Sequence, residues 1–295
     1  MRNDFERIHA GVLFLYFTGI LILCGFCYHP LVQILALVGG LGYCGCILVP
    51  KDLGKMLLFY TLPAVFVALT NPFFSKEGNT VLFYLNQSPF TKEAFLYGVS
   101  MGLSLLCILV WFRVFNTVMT TDRLLYLFGG FFPKTSMLLT VTLRTVPRLR
   151  RRVRETREIQ QAMGIYKGDQ GYVSRLKAEM AVLQGVFASA MEDAIETGDS
   201  MRGRGYGNPG RTRLRKNRFD FVQGCILVGL LFVWGVVFAA LAAGGIAMQF
   251  YPEIQCTWTG VPTICFIISF GFLCFLPIGA ELYERIRWKW YRSKI

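Results

Sequence analysis

Six stretches of this chain hold no Asp, Glu, Lys or Arg over roughly the length needed to cross a bilayer, and this constrains the fold more than any other feature. They are Ala10 to Cys27, Pro30 to Pro50, Met56 to Phe74, Ala94 to Phe112, Phe221 to Tyr251 and Val261 to Ala280. A hydrocarbon core about 30 Å thick takes roughly 20 apolar residues per helix. Lipid cannot satisfy free backbone groups, so the spans must be helices that bond internally. The expected fold is therefore all-α: a polytopic membrane protein of about six transmembrane helices. The fifth run is too long for one upright helix, and Gly244-Gly245 is where it should bend, tilt or leave the membrane. Composition agrees, with 54% hydrophobic and only 17% charged residues, where soluble domains carry about 25% charged residues.

The first run follows Arg2, Asp4, Glu6 and Arg7, and no small-x-small cleavage site follows it, so it reads as a retained span. Of nine cysteines, eight lie inside the apolar runs and one, Cys256, in a loop. They read as packing groups, Cys24-x-x-Cys27 included, and not as a disulfide framework.

Charge is concentrated in one place. Between Arg113 and Arg218 lie 20 of the 31 Lys and Arg and 9 of the 18 acids, so this segment carries +11 of the net +13. The positive-inside rule puts it in the cytoplasm, along with the Lys51 to Lys55 turn and the tail from Arg285 to Lys294. Both termini are then cytoplasmic. Three regions result: residues 1–119, four membrane helices; 120–219, a cytoplasmic region; and 220–295, two membrane helices with a basic tail. So basic a surface suits anionic lipid. Nucleic acid is not expected, because no aromatic residues interleave the bases from Arg144 to Arg157.

The membrane runs lack the charged residues that mark proton relays and ion pathways, which disfavours a self-contained secondary carrier or channel, the alternative reading. Asp220 and Glu253 only bracket the fifth run. Gly40-x-Gly42-x-x-Gly45 matches a dinucleotide fingerprint, yet it lies inside a span, where small residues serve close helix packing, as in Gly98-x-x-x-Gly102. Gly129 to Thr135 ends like a phosphate loop, but Pro133 stands where glycine must precede the lysine. No catalytic residue, cofactor site or metal cluster is expected, and the two histidines, His9 and His29, read as surface or interfacial residues.

In the basic segment, Thr121 can cap a short helix, Asp122 to Phe128, suited to a membrane surface. A second helix runs from Ser136 to about Met163, with Pro147 inside it. A third, roughly Val173 to Thr197, draws Leu176, Met180, Leu183, Phe187, Ala190 and Ala194 into one apolar stripe, whose simplest use is packing against the second helix. After it comes Gly203-Arg204-Gly205-Tyr206, an arginine between glycines, readable as a helix C-cap or as a guanidinium offered to a partner.

From Arg144 to Arg215 above all, the chain resembles the transmembrane T component of energy-coupling factor (ECF) transporters, the EcfT/CbiQ-like family of prokaryotic vitamin and metal importers. In that family two cytoplasmic coupling helices each end in an Ala-Arg-Gly-like motif. The second motif matches Gly203, Arg204 and Gly205, followed by Arg211-Thr212-Arg213. The first falls at Ala162, Met163 and Gly164, with Met163 where arginine is expected. Either an apolar side chain enters the partner there, or Arg157 or Lys167 makes the bond instead.

The resemblance implies a non-catalytic scaffold in a prokaryotic cell membrane, working with two ABC-type ATPase subunits and a small substrate-binding membrane subunit (S component). It makes the two motifs the ATPase contacts, and Leu176, Met180, Leu183, Phe187, Ala190 and Ala194 a candidate platform for the S component.

Overall fold

The apolar runs each form a helix in the computed structural model, which describes residues 8–47, 50–75, 78–85, 88–129, 132–164, 171–208, 221–251, 254–258 and 260–292. They are α1 (Ala10–Phe26), α2 (Pro30–Ile47), α3 (Pro50–Phe74), α4 (Lys92–Val118), α8 (Phe221–Ala242) and α9 (Val261–Arg292). Three more helices occupy the basic segment: α5 (Thr121–Phe128), α6 (Pro133–Ala162) and α7 (Tyr172–Gly203). The six apolar helices, being apolar on all sides, can bury themselves only in lipid or in one another. Five are long and apolar enough to cross a membrane; α1, at 17 residues, is shorter. At about 1.5 Å per residue it reaches roughly 26 Å, the lower end of what spans a bilayer.

Several helices outrun their charge-free stretches, because a helix need not stop where the hydrocarbon does. The third starts at Pro50 and takes in Lys51, Asp52 and Lys55. The fourth runs past Arg113 to Val118, and the last continues to Arg292. The fifth does the opposite. It stops at Ala242, turns through Gly244 and Gly245, and enters a hairpin of β3 (Ile246–Gln249) and β4 (Gln255–Trp258). A second antiparallel hairpin, β1 (Val81–Leu85) with β2 (Ser88–Thr91), precedes α4. Neither hairpin was expected from the apolar pattern. Asp220 and Glu253 lie outside the described residues.

The chain divides into two compact units, Met1–Leu124 with Asn217–Ile295, and Leu125–Lys216. In the first, α4 is sandwiched by α1, α2 and α3, while α9 packs on α2 and α8. Glycines set the close approaches. A Cβ at Gly98 would lie 2.6 Å from the carbonyl oxygen of Ala68, and one at Gly102 would lie 2.5 Å from that of Ala64. Gly39 fits against Cys274, Gly40 against Val110 and Trp111 and Gly42 against Ile278, so two of the three glycines of the dinucleotide-like pattern serve helix packing, while Gly45 meets nothing within 4 Å.

Polar side chains then tie the helices together where water is excluded. Tyr16 donates to the carbonyl of Leu273 at 2.7 Å, and the Trp111 indole to that of Ala36 at 2.9 Å. Gln33 donates to Ser104 Oγ at 2.7 Å and to the carbonyl of Ser100 at 3.0 Å. Each such bond is worth on the order of 0.6 kcal/mol, so their effect is mainly to fix which helix faces which. His9 and His29 sit at helix starts, each accepting a backbone N–H two residues on. His29 is buried, at 6% exposure, because the fold closes over the start of α2; the surface reading fails for it.

The substitution Gly102→Ala forces α3 off α4 and should cost about 1–3 kcal/mol, as overpacking does. It is read as a lower thermal unfolding midpoint of the detergent-purified protein. Gly45→Ala, where an added Cβ meets nothing within 4 Å, should leave that midpoint unchanged or raise it.

Candidate functional site

The second unit is built on α6 and α7. Pro133 opens α6 as its first helical residue, where a missing N–H costs nothing. Lys134 and Thr135 therefore belong to a first helical turn. The helix continues through Pro147, which leaves the carbonyl four residues earlier without its usual partner.

The two helices are joined by a narrow seam. Ala178, Val182 and Val186, four residues apart on α7, are buried, with Ser189 and Asp193 half-buried beyond them. Arg152 crosses to Asp193 Oδ2 at 2.7 Å and to Ser189 Oγ at 3.1 Å, and Arg157 to Glu179 Oε2 at 2.7 Å. Both ion pairs are about one-third exposed, so screening holds each to roughly 1 kcal/mol or less. Arg157 is thus committed to the seam. Lys167, the other substitute for the missing arginine, and Arg211 to Arg213 lie outside the described residues.

This seam overturns the simplest reading of the apolar stripe. Leu176, Met180, Leu183 and Phe187 are 50 to 68% exposed, Ala194 is exposed and Ala190 half-buried. The face that packs on α6 is the neighbouring one of small and β-branched residues, offset by two positions, because short side chains let two helices approach. That signal was present in the sequence, obscured by the larger side chains beside it. Ala190 and Ala194 also line an apolar groove of about 610 Å³ between α6 and α7, together with Leu138, Val141, Leu149 and Tyr206.

Both helices end in the same way. In α7, which runs on to Gly203 where the periodicity had stopped it at Thr197, Arg204 is the C-cap and Gly205 follows with φ +76°. The Gly205 N–H donates to Arg202 at 2.9 Å, and the Tyr206 N–H to Met201 at 3.0 Å. This is the paired pattern of a Schellman cap, which needs a left-handed residue and so favours glycine. In α6, Ala162 is the last helical residue, Met163 the C-cap, and Gly164 follows with φ +74°, its N–H donating to Gln161 at 3.1 Å.

Met163 and Arg204 therefore occupy equivalent places. Met163 is 69% exposed, and Arg204 is exposed with no side-chain partner among the described residues. The caps explain Gly164 and Gly205, whose φ is positive, and leave both tip side chains exposed. The structure brings the two motifs into one backbone geometry and gives the apolar stripe an open face.

Replacing Gly205 by Ala forces an L side chain into the left-handed region, costing about 1–2 kcal/mol. Hydrogen exchange should show faster exchange in the last turn of α7 and little change in its buried middle.

No family model matches the chain. Relatives do. The energy-coupling factor transporter transmembrane protein EcfT of Listeria innocua is 27% identical over 189 residues, 59% of this chain and 70% of that protein. EcfT 1 of Listeria monocytogenes is 27% identical over 168 residues, 52% of this chain and 62% of its own length. EcfT of Exiguobacterium sibiricum reaches 31% over 110 residues, 37% and 41% of the two chains. The matched stretches thus span from about two-fifths to seven-tenths of these relatives. By its apolar helices the chain is a multi-pass membrane protein, and over part of its length it is similar to these EcfT transmembrane proteins.

Proposed function

We propose that this chain is the non-catalytic transmembrane scaffold of an ECF-type ABC importer, coupling ATP hydrolysis by two partner ATPases to a substrate-binding membrane subunit that takes up vitamins or metal ions. The observation that carries this reading is the pair of matching helix ends, which present Met163 and Arg204 from equivalent caps. Each tip would enter a groove of one ATPase: Arg204 with a guanidinium donating to polar groups, Met163 with an apolar side chain. Movement of the ATPases would then reach α6 and α7 as a displacement of rigid rods. Coupling needs discrete states that each partner biases, and a seam held by small residues and two partly exposed ion pairs suits rearrangement better than a sealed core.

The exposed stripe from Leu176 to Ala194 serves in this reading as the platform for the S component. Residues 120–219 form the cytoplasmic coupling region, and both termini lie in the cytoplasm of a prokaryotic cell whose plasma membrane holds the spans. The base-rich middle segment and the base-poor loops support this orientation. Cysteine-free protein carrying single reporters should label from outside at Gln87 and from inside at Gly168; labelling of Gly168 from outside in intact cells would reverse the orientation.

The sharper test is a pair of substitutions. If a partner buries Arg204, Arg204→Ala strands the opposing polar groups and should cost about 2–5 kcal/mol of complex stability. Met163→Ala loses an apolar contact in a groove that can partly collapse, and should cost less. Each variant is co-purified with its ATPases and assayed for complex yield and ATP hydrolysis in liposomes, the chain alone showing no hydrolysis. Wild-type assembly and transport by Arg204→Ala would reduce the glycine-flanked arginine to a helix end.

A further inference from the structure

A pocket of about 430 Å³ opens between the last turns of α1 and α8 and the strand β3. Its volume falls within the roughly 300–1,000 Å³ of ordinary small-molecule sites. Leu23 and Phe26 of α1, Phe238 and Leu241 of α8 and Met248 of β3 give it apolar walls, and none of its described lining residues is an acid, a lysine or an arginine.

The connection from α1 to α2 supplies the polar side of the pocket: Cys27, Tyr28 and His29. Of these the histidine alone is buried, at 6% exposure. Its Nδ1 accepts the Leu31 N–H at 3.3 Å, so the proton of the neutral ring sits on Nε2, which has no partner among the described residues. Burial pushes the pKa of His29 down, which keeps the ring neutral at pH 7 and makes Nε2 a donor without charge. A buried donor with no acceptor costs free energy. Ordered water is held by several polar groups at once, and mostly apolar walls hold it poorly.

Depth decides what else is at hand. At about 1.5 Å per residue α1 reaches roughly 26 Å, against about 30 Å for a hydrocarbon core, so its end at Phe26 lies close to where acyl chains give way to glycerol esters. Ile22, Phe26 and Phe238, 45 to 80% exposed, stand at the edge of the pocket and continue the surface that faces lipid. A phosphate or carboxylate would meet no cation on these walls, whereas an ester carbonyl needs only one uncharged N–H. We infer that this pocket is a glycerolipid site, in which an acyl chain lies along Leu23, Phe238 and Leu241 while His29 Nε2 donates to an ester carbonyl. It selects by the ester and not by the charge of the headgroup. The inference goes beyond the importer reading and rests only on α1 and α8 crossing a membrane.

The test uses the delipidated full chain in neutral detergent, titrated with phosphatidylcholine whose chains are joined through esters or, in a second series, through ethers, and followed by native mass spectrometry. Headgroup and chain length are the same in both series, so only the carbonyls differ. Wild type should hold the ester lipid about 3- to 10-fold more tightly, the effect of one hydrogen bond. His29→Asn keeps a side-chain acceptor for the start of α2 and withdraws the Nε2 donor. Its thermal midpoint should stay and its preference for the ester lipid should disappear. Leu241→Trp fills the pocket without touching the start of α2, and it should abolish the preference as well. Lipids held elsewhere are common to all variants and cancel. Equal binding of the two lipids by wild type would mean that water alone meets His29, and an ester preference kept by either variant would place the carbonyl contact elsewhere; each of these results overturns the proposal.

Discussion

In hydrocarbon a backbone N–H or C=O without a partner costs several kcal/mol, and the rest of this structure depends on how that demand is met. Each apolar run meets it by closing its hydrogen bonds inside one helix. Once that is done, little apolar driving force remains to bring helices together, since lipid tails are as oily as leucine. Close fit and a few polar bonds must decide the arrangement. Hence the glycines of α4 against the carbonyls of α3, and hence Gln33, Trp111 and Tyr16, each tying one helix to the backbone of another. Where a run cannot remain helical, as after Ala242, the chain pairs with itself in a hairpin and its backbone groups are again satisfied.

The basic unit follows different rules. Its helices join through a seam of small residues, flanked by ion pairs that water screens. Large apolar side chains stand on the outside of α7 while the small ones face α6. In a soluble protein this would be an inversion. It is the arrangement that the proposed platform for a second membrane subunit calls for.

The membrane helices were legible because the absence of charge over 20 residues admits few explanations. The two hairpins were not, since each strand has only four or five residues and sits in a connection whose composition resembles any loop. The two capped motifs were found by spacing and resemblance, and the equivalence of Met163 and Arg204 became visible only through the φ angles of Gly164 and Gly205. The face of α7 was misjudged for a physical reason. Hydrophobicity scales favour large side chains, whereas helix approach favours small ones, so the stripe that catches the eye was not the one that packs. The length of α7 was misjudged because the apolar stripe stops near Thr197 while the helix runs on through polar residues to Gly203.

The twin caps have a consequence for how such a chain can change over time. The turn at each helix end is held by backbone bonds and by the glycine after the tip, and the tip side chain takes no part in it. Its identity is decoupled from the fold: exchanging one tip residue for another, apolar for cationic, leaves the helix, its cap and the seam behind it intact. Under the proposed role, preference at one tip can drift by single substitutions without disturbing the other, and neither helix need be rebuilt for a new pairing to be tried.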